Sequence, residues 1–480
     1  MSGHSITTRR EKKSSATAVC VSMACLALAP VAFAVAPADP GVRPGPAAAG
    51  GPLPGLTDAE QRPFWLGWER FRQKHSVYGT LEVNAGLGAS FNALSCAQCH
   101  SQPAAGGSST SPESPQVRRV IFDQQRLGLD VQPNPQVALA SLHRVPDADQ
   151  SVPSFITPDG PIRVARFISH PDGTPDGSVH PIYTVAGRVD APGCNLEQPD
   201  FDAEMAKGNV VFRVPSPSFG DGLIEAVPDS ALEANLLATR EQRRAFGIGG
   251  RLNRDGSGAV TRFGWKAQIR SVHRFAAESQ HVEMGATNSV FPHSEESGCL
   301  PAAAHTAAES AAAGAADLER FVSFIRLSAP PAPSTHTESE LGGRGVFGQV
   351  GCNLCHSPSL KTGHAHMQQM SQVSLAPYSD FALHHMGPGL ADHISQGAAT
   401  GDEFRTAPLW GLGQRMFFLH DGRTSDLIEA IQAHASSDEP CTQDRRKGEI
   451  CASEANASIA AFNALSDDRK QELLDFLRSL

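Results

Sequence analysis

The 480-residue chain has no surplus of positive charge: 40 Lys and Arg stand against 50 Asp and Glu, a net charge of −10. Such a balance leaves no electrostatic footprint for nucleic acid or anionic lipid and excludes those partner classes. Also missing is a short spacing between the two Cys-x-x-Cys pairs, Cys96/Cys99 and Cys352/Cys355, which argues against a zinc ribbon. A thioredoxin-like redox pair would need a strand before it and a helix after it. Small and polar residues follow Cys99 instead, with Pro103 and Gly106-Gly107 close behind. Helical patterning is weak from His100 to about Thr261. In its place come 35 Pro and 44 Gly across the chain, implying long irregular connections around cores that 40% apolar residues can fill.

The N-terminus carries Arg9, Arg10, Lys12 and Lys13, then an apolar run from Ala16 to about Ala34. Ala32-Phe33-Ala34 offers the small-x-small pattern of a secretory cleavage site, so residues 1–34 read as a signal peptide and the product as periplasmic. Arg9-Arg10 lacks the apolar neighbours of a twin-arginine signal. The run is long enough to span a bilayer, but Pro30 and the Ala/Pro/Gly-rich residues 35–56 favour cleavage and a flexible linker over stable membrane insertion. Loss of residues 1–34 removes the four basic residues and Glu11, moving the net charge from −10 to −13. That surface suits a basic electron-transfer partner.

Two five-residue stretches dominate the remainder: Cys96-Ala-Gln-Cys99-His100 and Cys352-Asn-Leu-Cys355-His356. Chance supplies about 0.008 such CxxCH copies at this composition. CxxCH is the attachment signal for c-type haem: two thiols bond the porphyrin vinyls and the adjacent imidazole reaches iron. Two covalent haems are therefore expected. With four cysteines so used and Cys20 and Cys25 leaving with the signal, Cys194, Cys299, Cys441 and Cys451 remain, an even number in an oxidising compartment. Cys441–Cys451 is the natural local pair; sequence alone does not fix the connectivity.

Thr57 caps an expected helix with Asp58 and Glu60 in its first turn. Trp65 and Trp68 read as haem-edge packing. Segments 117–122, 162–168, 182–189 and 209–214 look strand-like and suggest a β-rich insertion at about 105–260, within which His143, His170 and His180 read as loop residues. A helical run spans 223–246, another starts at Ser271, and a long one covers 307–327 before the Pro330-Pro331 boundary. The C-terminal part opens with residues 338–350, and helices are also expected at 425–434 and 466–480. The expected architecture is mainly α, with two cytochrome c-like haem domains at 57–330 and 331–480.

The stretches Gly86–His100, Arg262–Gln268, Glu283-Met284-Gly285, Tyr378–Asp392 and Phe404–Arg423 together resemble the di-haem oxidoreductase family. This group includes peroxidase- and thiol-oxidoreductase-like proteins. It is related to bacterial di-haem cytochrome c peroxidases and the methylamine-utilisation di-haem enzyme. The resemblance implies a reactive N-terminal haem and a C-terminal haem that stores an electron. It implies further that Glu283, which by itself reads as a surface residue near a helix end, is the acid–base group. O–O heterolysis requires a proton carried from one oxygen to the other.

Counting about fourteen residues on from His420 carries the far ligand of the second haem to His434, with Met386 as the alternative; His364, His366, His384 and His385 are further candidates. Trp265 matches the position of an aromatic between the haems. Arg405 and Arg423 suit haem propionates, and His420 the second pocket. The resemblance also implies hydrogen peroxide or a similar oxidant, with a soluble electron-transfer protein or small redox donor as partner. Calcium occurs in the related peroxidases, but the chain has no acidic cluster with ligand spacing to support it. The competing reading is a di-haem electron carrier without substrate chemistry.

Overall fold

A computed structural model describes residues 1–3, 36–76, 84–85, 87–110, 134, 136, 152–184, 196–292, 307–334, 337–438, 441–444 and 448–480. The signal segment, residues 117–122, and His143, Cys194 and Cys299 lie outside the described residues. Residues Pro37–Leu480 form one compact unit. Helix outweighs strand, 34% against 12%, as expected of a mainly α chain.

Two helix pairs frame the unit. Helix α1 (Asp58–Arg72) starts in a capping box: Thr57 Oγ1 accepts from Glu60 N, and Glu60 accepts from Thr57 N at 2.8 Å. It packs on α3 (Ala307–Leu327), which in turn packs on α2 (Val272–Met284). Gly67 lets α1 and α3 approach, since a Cβ there would lie 2.1 Å from Arg320 O. The second pair, α4 (Glu338–Gln349) and α6 (Asp467–Ser479), crosses the same way at Gly343, whose Cβ would lie 1.8 Å from Glu472 O. Phe64, Phe71 and Phe324 fill the core under the first pair; Phe347, Tyr378 and Phe476 fill that under the second.

Strands β2 (Val164–Phe167), β3 (Val179–His180) and β5 (Val210–Arg213) form an antiparallel sheet with β2 in the middle. Before and between them, β1 (Ser90–Phe91) pairs with β4 (Tyr183–Thr184). The helical run expected over 223–246 is three helices, Asp221–Glu225, Asp229–Ala238 and Arg240–Ala245. Pro228 has no amide proton to continue the first of these into the second. Strands β6 (Leu383–His385) and β7 (Glu403–Arg405) make a second antiparallel ribbon, and α5 covers Leu427–Gln432.

The expected flexible linker at 35–56 is a correction. Asp39 accepts from Arg478 at 2.6–2.7 Å, Arg43 N bonds Gly413 O, and Leu53 N bonds Leu327 O. Leu53 and Leu56 are buried against α3 and its neighbours. Ala/Pro/Gly composition signals lack of regular structure, not lack of contacts, and this segment docks by its few polar and apolar side chains. Cys441 and Cys451 are disulfide-bonded, as the local pairing suggested. No helix of the described residues is long and apolar enough to cross a membrane.

Candidate functional site

Cys96–Cys99 forms a single helical turn, entered through Leu94 and Ser95, whose amides both donate to Gln98 Oε1 (2.7 and 3.2 Å). The two thiols are not bonded to each other, and neither are those of Cys352 and Cys355. His100 Nδ1 donates to Gly107 O at 3.0 Å, so Nε2 carries the lone pair. Burial lowers the His100 pKa to about 4, keeping the ring neutral as a ligand must be. The second turn repeats this logic: His356 Nδ1 donates to Tyr378 O at 2.9 Å, and burial holds its pKa at about 4. Burial also raises Cys96 and Cys352 to about 12, so neither is a thiolate near neutrality.

Each turn opens on a large cavity. The first, about 150 Å³, is lined by Phe71, Cys96, Cys99, His100, Trp265 and Glu283 among others. The second, about 220 Å³, is lined by Cys352, Cys355, His356, Met386, His420 and His434 among others. Unbonded thiol pairs, a neutral histidine oriented by a carbonyl and a roomy, largely apolar lining fit a haem in each.

Glu283 reaches the first cavity because the end of α2 is laced to the strand leading into Cys96. Gly88 N donates to Met284 O and Asn92 N to Glu283 O, both at 2.8 Å. Gly285 closes α2 in the left-handed region (φ 61°), and a Cβ on Gly88 would lie 2.1 Å from its carbonyl. The Glu283 carboxyl takes a 3.1 Å bond from Asn92 Nδ2 and otherwise faces the cavity. Burial pushes its pKa up to about 7, against the opposing pull of Arg166 and Asn92. One turn back, Gln280 lines the same cavity with Oε1 lacking a partner among the described residues, and Glu278, raised by burial, lies beside it. The sequence carries no signal for either beyond their spacing from Glu283 on one helix.

In the second cavity both far-ligand candidates are present. His434 is enclosed by protein, and its Nδ1 donates to Ala430 O at 2.7 Å. Met386 lines the wall beyond β6. His384 also lines it, but Asp380 (3.1 Å) and Glu454 (2.6 Å) occupy its two ring nitrogens. Burial opposes its charge, yet Cys355 and Asp380 hold its pKa well above the usual histidine value. His385 pairs with Asp402 at 3.0 Å and lines neither cavity, nor do His364 and His366.

Arg405 lines the second cavity and donates to Gly264 O at 2.9 Å. Arg423 is a correction: it lies outside both linings, paired with Asp421 and donating to Gly389 O. Arg415, not singled out in the sequence, lines the second cavity instead. Burial lowers both Arg405 and Arg415 to about 10, and neither is in an ion pair with a described residue. Trp265 lines both cavities, its indole N–H donating to Val214 O at 3.0 Å. One His/Asp/Cys group, His385, Asp402 and Cys451, has metal-like spacing among the described residues, but the Cys451 sulfur is in the disulfide.

Two histidine-bearing cysteine turns, each opening a cavity and sharing one indole wall, define a two-centre redox protein. The family model described as "Di-haem oxidoreductase, putative peroxidase" matches residues 165–480, and the chain belongs to that family. The match begins after the first CxxCH, which stands on its own geometry. A search among curated proteins finds no match. Among solved structures, hydrazine synthase of Kuenenia stuttgartiensis is 13% identical, covering 56% of this chain and 73% of that one at a TM-score of 0.28. A MauG-like protein associated with microbial copper homeostasis is 16% identical, covering 55% and 90% at a TM-score of 0.28. Neither likeness is close enough to carry structural or functional weight.

Proposed function

We propose that the chain is an exported, periplasmic di-haem c-type oxidoreductase that reduces hydrogen peroxide or a similar oxidant. Cys96 and Cys99, and Cys352 and Cys355, are the thioether anchors, with His100 and His356 as the near ligands. A haem, when bound, supplies an iron that changes oxidation state one electron at a time. The observation that carries this reading is the asymmetry of the two cavities. Among described residues His100 is the one histidine lining the first cavity, whose wall also carries the Glu278 and Glu283 carboxyls; the second cavity is lined by His434 and Met386 as well as His356.

Glu283 takes a proton from one peroxide oxygen and returns it to the other, so that the O–O bond breaks with water leaving. Two electrons and two further protons complete two waters per peroxide. His434 would hold the second haem together with His356, because it lines the same cavity and its hydrogen bond to Ala430 O fixes the ring with Nε2 carrying the lone pair. A histidine there gives a lower potential than Met386 would. Trp265 relays electrons between the sites, and Arg405 and Arg415 answer the propionates of the second haem. The two glycine crossings, Gly67 in the first helix pair and Gly343 in the second, support cytochrome c-like domains at 57–330 and 331–480, with the β2–β3–β5 sheet inside an insertion at about 105–260. The electron donor is a soluble, basic electron-transfer protein or a small redox donor.

The test begins with the mass of the natively produced protein, which should rise by two macrocycles. Glu283→Gln should keep both haems and a high-spin first site while peroxide turnover falls at least about 100-fold. A wild-type spectrum that stays wholly low-spin after half-reduction would identify an electron carrier instead.

A further inference from the structure

Between the two cavities lies a buried ion cluster that the peroxide chemistry does not use. Lys266, next to Trp265, is 0% exposed, Asp392 1% and Arg213 3%. Lys266 Nζ sits 3.0 Å from Asp392 Oδ1 and donates to Thr400 O (3.0 Å) and Gly401 O (3.2 Å). Arg213 grips the other carboxylate oxygen through Nε (3.0 Å) and Nη2 (2.6 Å). The cluster touches both sites. Arg213 lines the first cavity. On the other side the Lys266 ammonium lies 3.7 Å over the Phe404 ring, which stacks at 4.3 Å on His420, a wall of the second cavity.

Within the trio the count of charges is uneven: two cations face one carboxylate, and the Asp402 carboxylate, which also acts on Lys266, has His385 as its own partner. Desolvating an ion costs several kcal/mol, and an apolar trio would serve stability at least as well. A surplus buried cation therefore calls for a reason other than folding. It remains an ammonium near neutrality, its pKa brought down by burial only to about 8. His420 is held neutral by burial, at about 4, and does not add to the charge. Set in a low-dielectric wall shared by both cavities, this charge acts on each with little screening by salt.

We propose that Arg213, Asp392 and Lys266 form a fixed internal cation of net charge +1 that makes the redox centres of both cavities easier to reduce. The inference rests on the di-haem reading. Lys266 and Arg213 are positioning residues here; neither touches substrate. Positive charge near an iron favours the form with one more electron, so removing it favours the oxidised form.

The experiment is a spectroscopic redox titration of the holoprotein across a ladder of cluster charge. Lys266→Met (net 0) should make both haems harder to reduce. Asp392→Asn, titrated near pH 5.5 so that Lys266 keeps its proton without the carboxylate (net +2), should make both easier, each by a several-fold change in the reduced-to-oxidised ratio at fixed potential. The double variant restores +1 and should return both close to wild type, although it lacks both halves of the ion pair. The shifts should persist at high salt. Shifts of the same sign in both single variants, or none, would overturn the proposal, since structural damage has no reason to follow the sign of the charge. Should Lys266→Met fail to fold, the Asp392→Asn and double variants still give opposite expectations for charge and for packing. Absence of haem from the wild-type protein would instead remove the di-haem reading, and mass spectrometry tells the two failures apart.

Discussion

Glu283 shows how a residue acquires chemistry from its surroundings. As one glutamate in a sequence it is unremarked; at the end of α2, enclosed and bonded by Asn92, its carboxyl is raised to about 7. A base must be deprotonated to accept the first proton, so turnover should climb as pH rises through about 7 and flatten above it. Below that point it should fall about tenfold per unit. Glu283→Gln should show a low rate with no such step, measured as peroxide consumption from pH 5 to 9. Asn92→Leu removes the bond that favours the charged form, and should move the step upward. The far ligand is equally a matter of one side chain. If His434 holds the second iron, His434→Ala should convert that site to a high-spin spectrum, whereas Met386→Leu should leave it low-spin; the reverse outcome assigns Met386.

At the scale of elements, the approach of helices was set by glycines that the sequence did not flag. Gly343 lies on the face of α4 that meets α6, with backbone where a side chain would go. Gly343→Val should force the helices apart at a cost of about 3 kcal/mol, read as a lowered unfolding midpoint. Thr57→Ala at the start of α1 removes one arm of a capping box and should cost only about 1 kcal/mol. Helix termini were legible because caps are local: Thr57, Ser466 and Gly285 stand where propensity puts them. The stretch over 223–246 reads as one helical run, but Pro228 and the break at Thr239 divide it into three helices. The docking of residues 37–56 was not legible, because Asp39 and Arg478 are 439 positions apart.

For the whole molecule, net charge sets how a donor arrives. On the proposed reading, the exported chain at −13 would attract a basic donor over a distance that salt shortens: the Debye length is roughly 30 Å at 0.01 M and about 8 Å at 0.15 M. Reduction by a basic donor protein should therefore slow markedly across that range in stopped-flow measurements, and reduction by a small neutral donor should not. The two cavities meet at Trp265, so the molecule is arranged around a shared wall. That wall is assembled from residues near 213, 265, 392, 404 and 420.

The sequence by itself determined the two anchoring turns, because CxxCH places its thiols and imidazole within five consecutive residues and needs no distant partner. It also determined, through the ordered blocks from 262 to 423, which family the chain belongs to. Only the tertiary structure decided which carboxyl enters the first cavity, that Arg415 and not Arg423 lines the second, and that Lys266 and Asp392, 126 residues apart, form one buried pair. Such contacts join distant stretches of chain, and their effect comes from excluding water around the pair, which no local pattern of residues records.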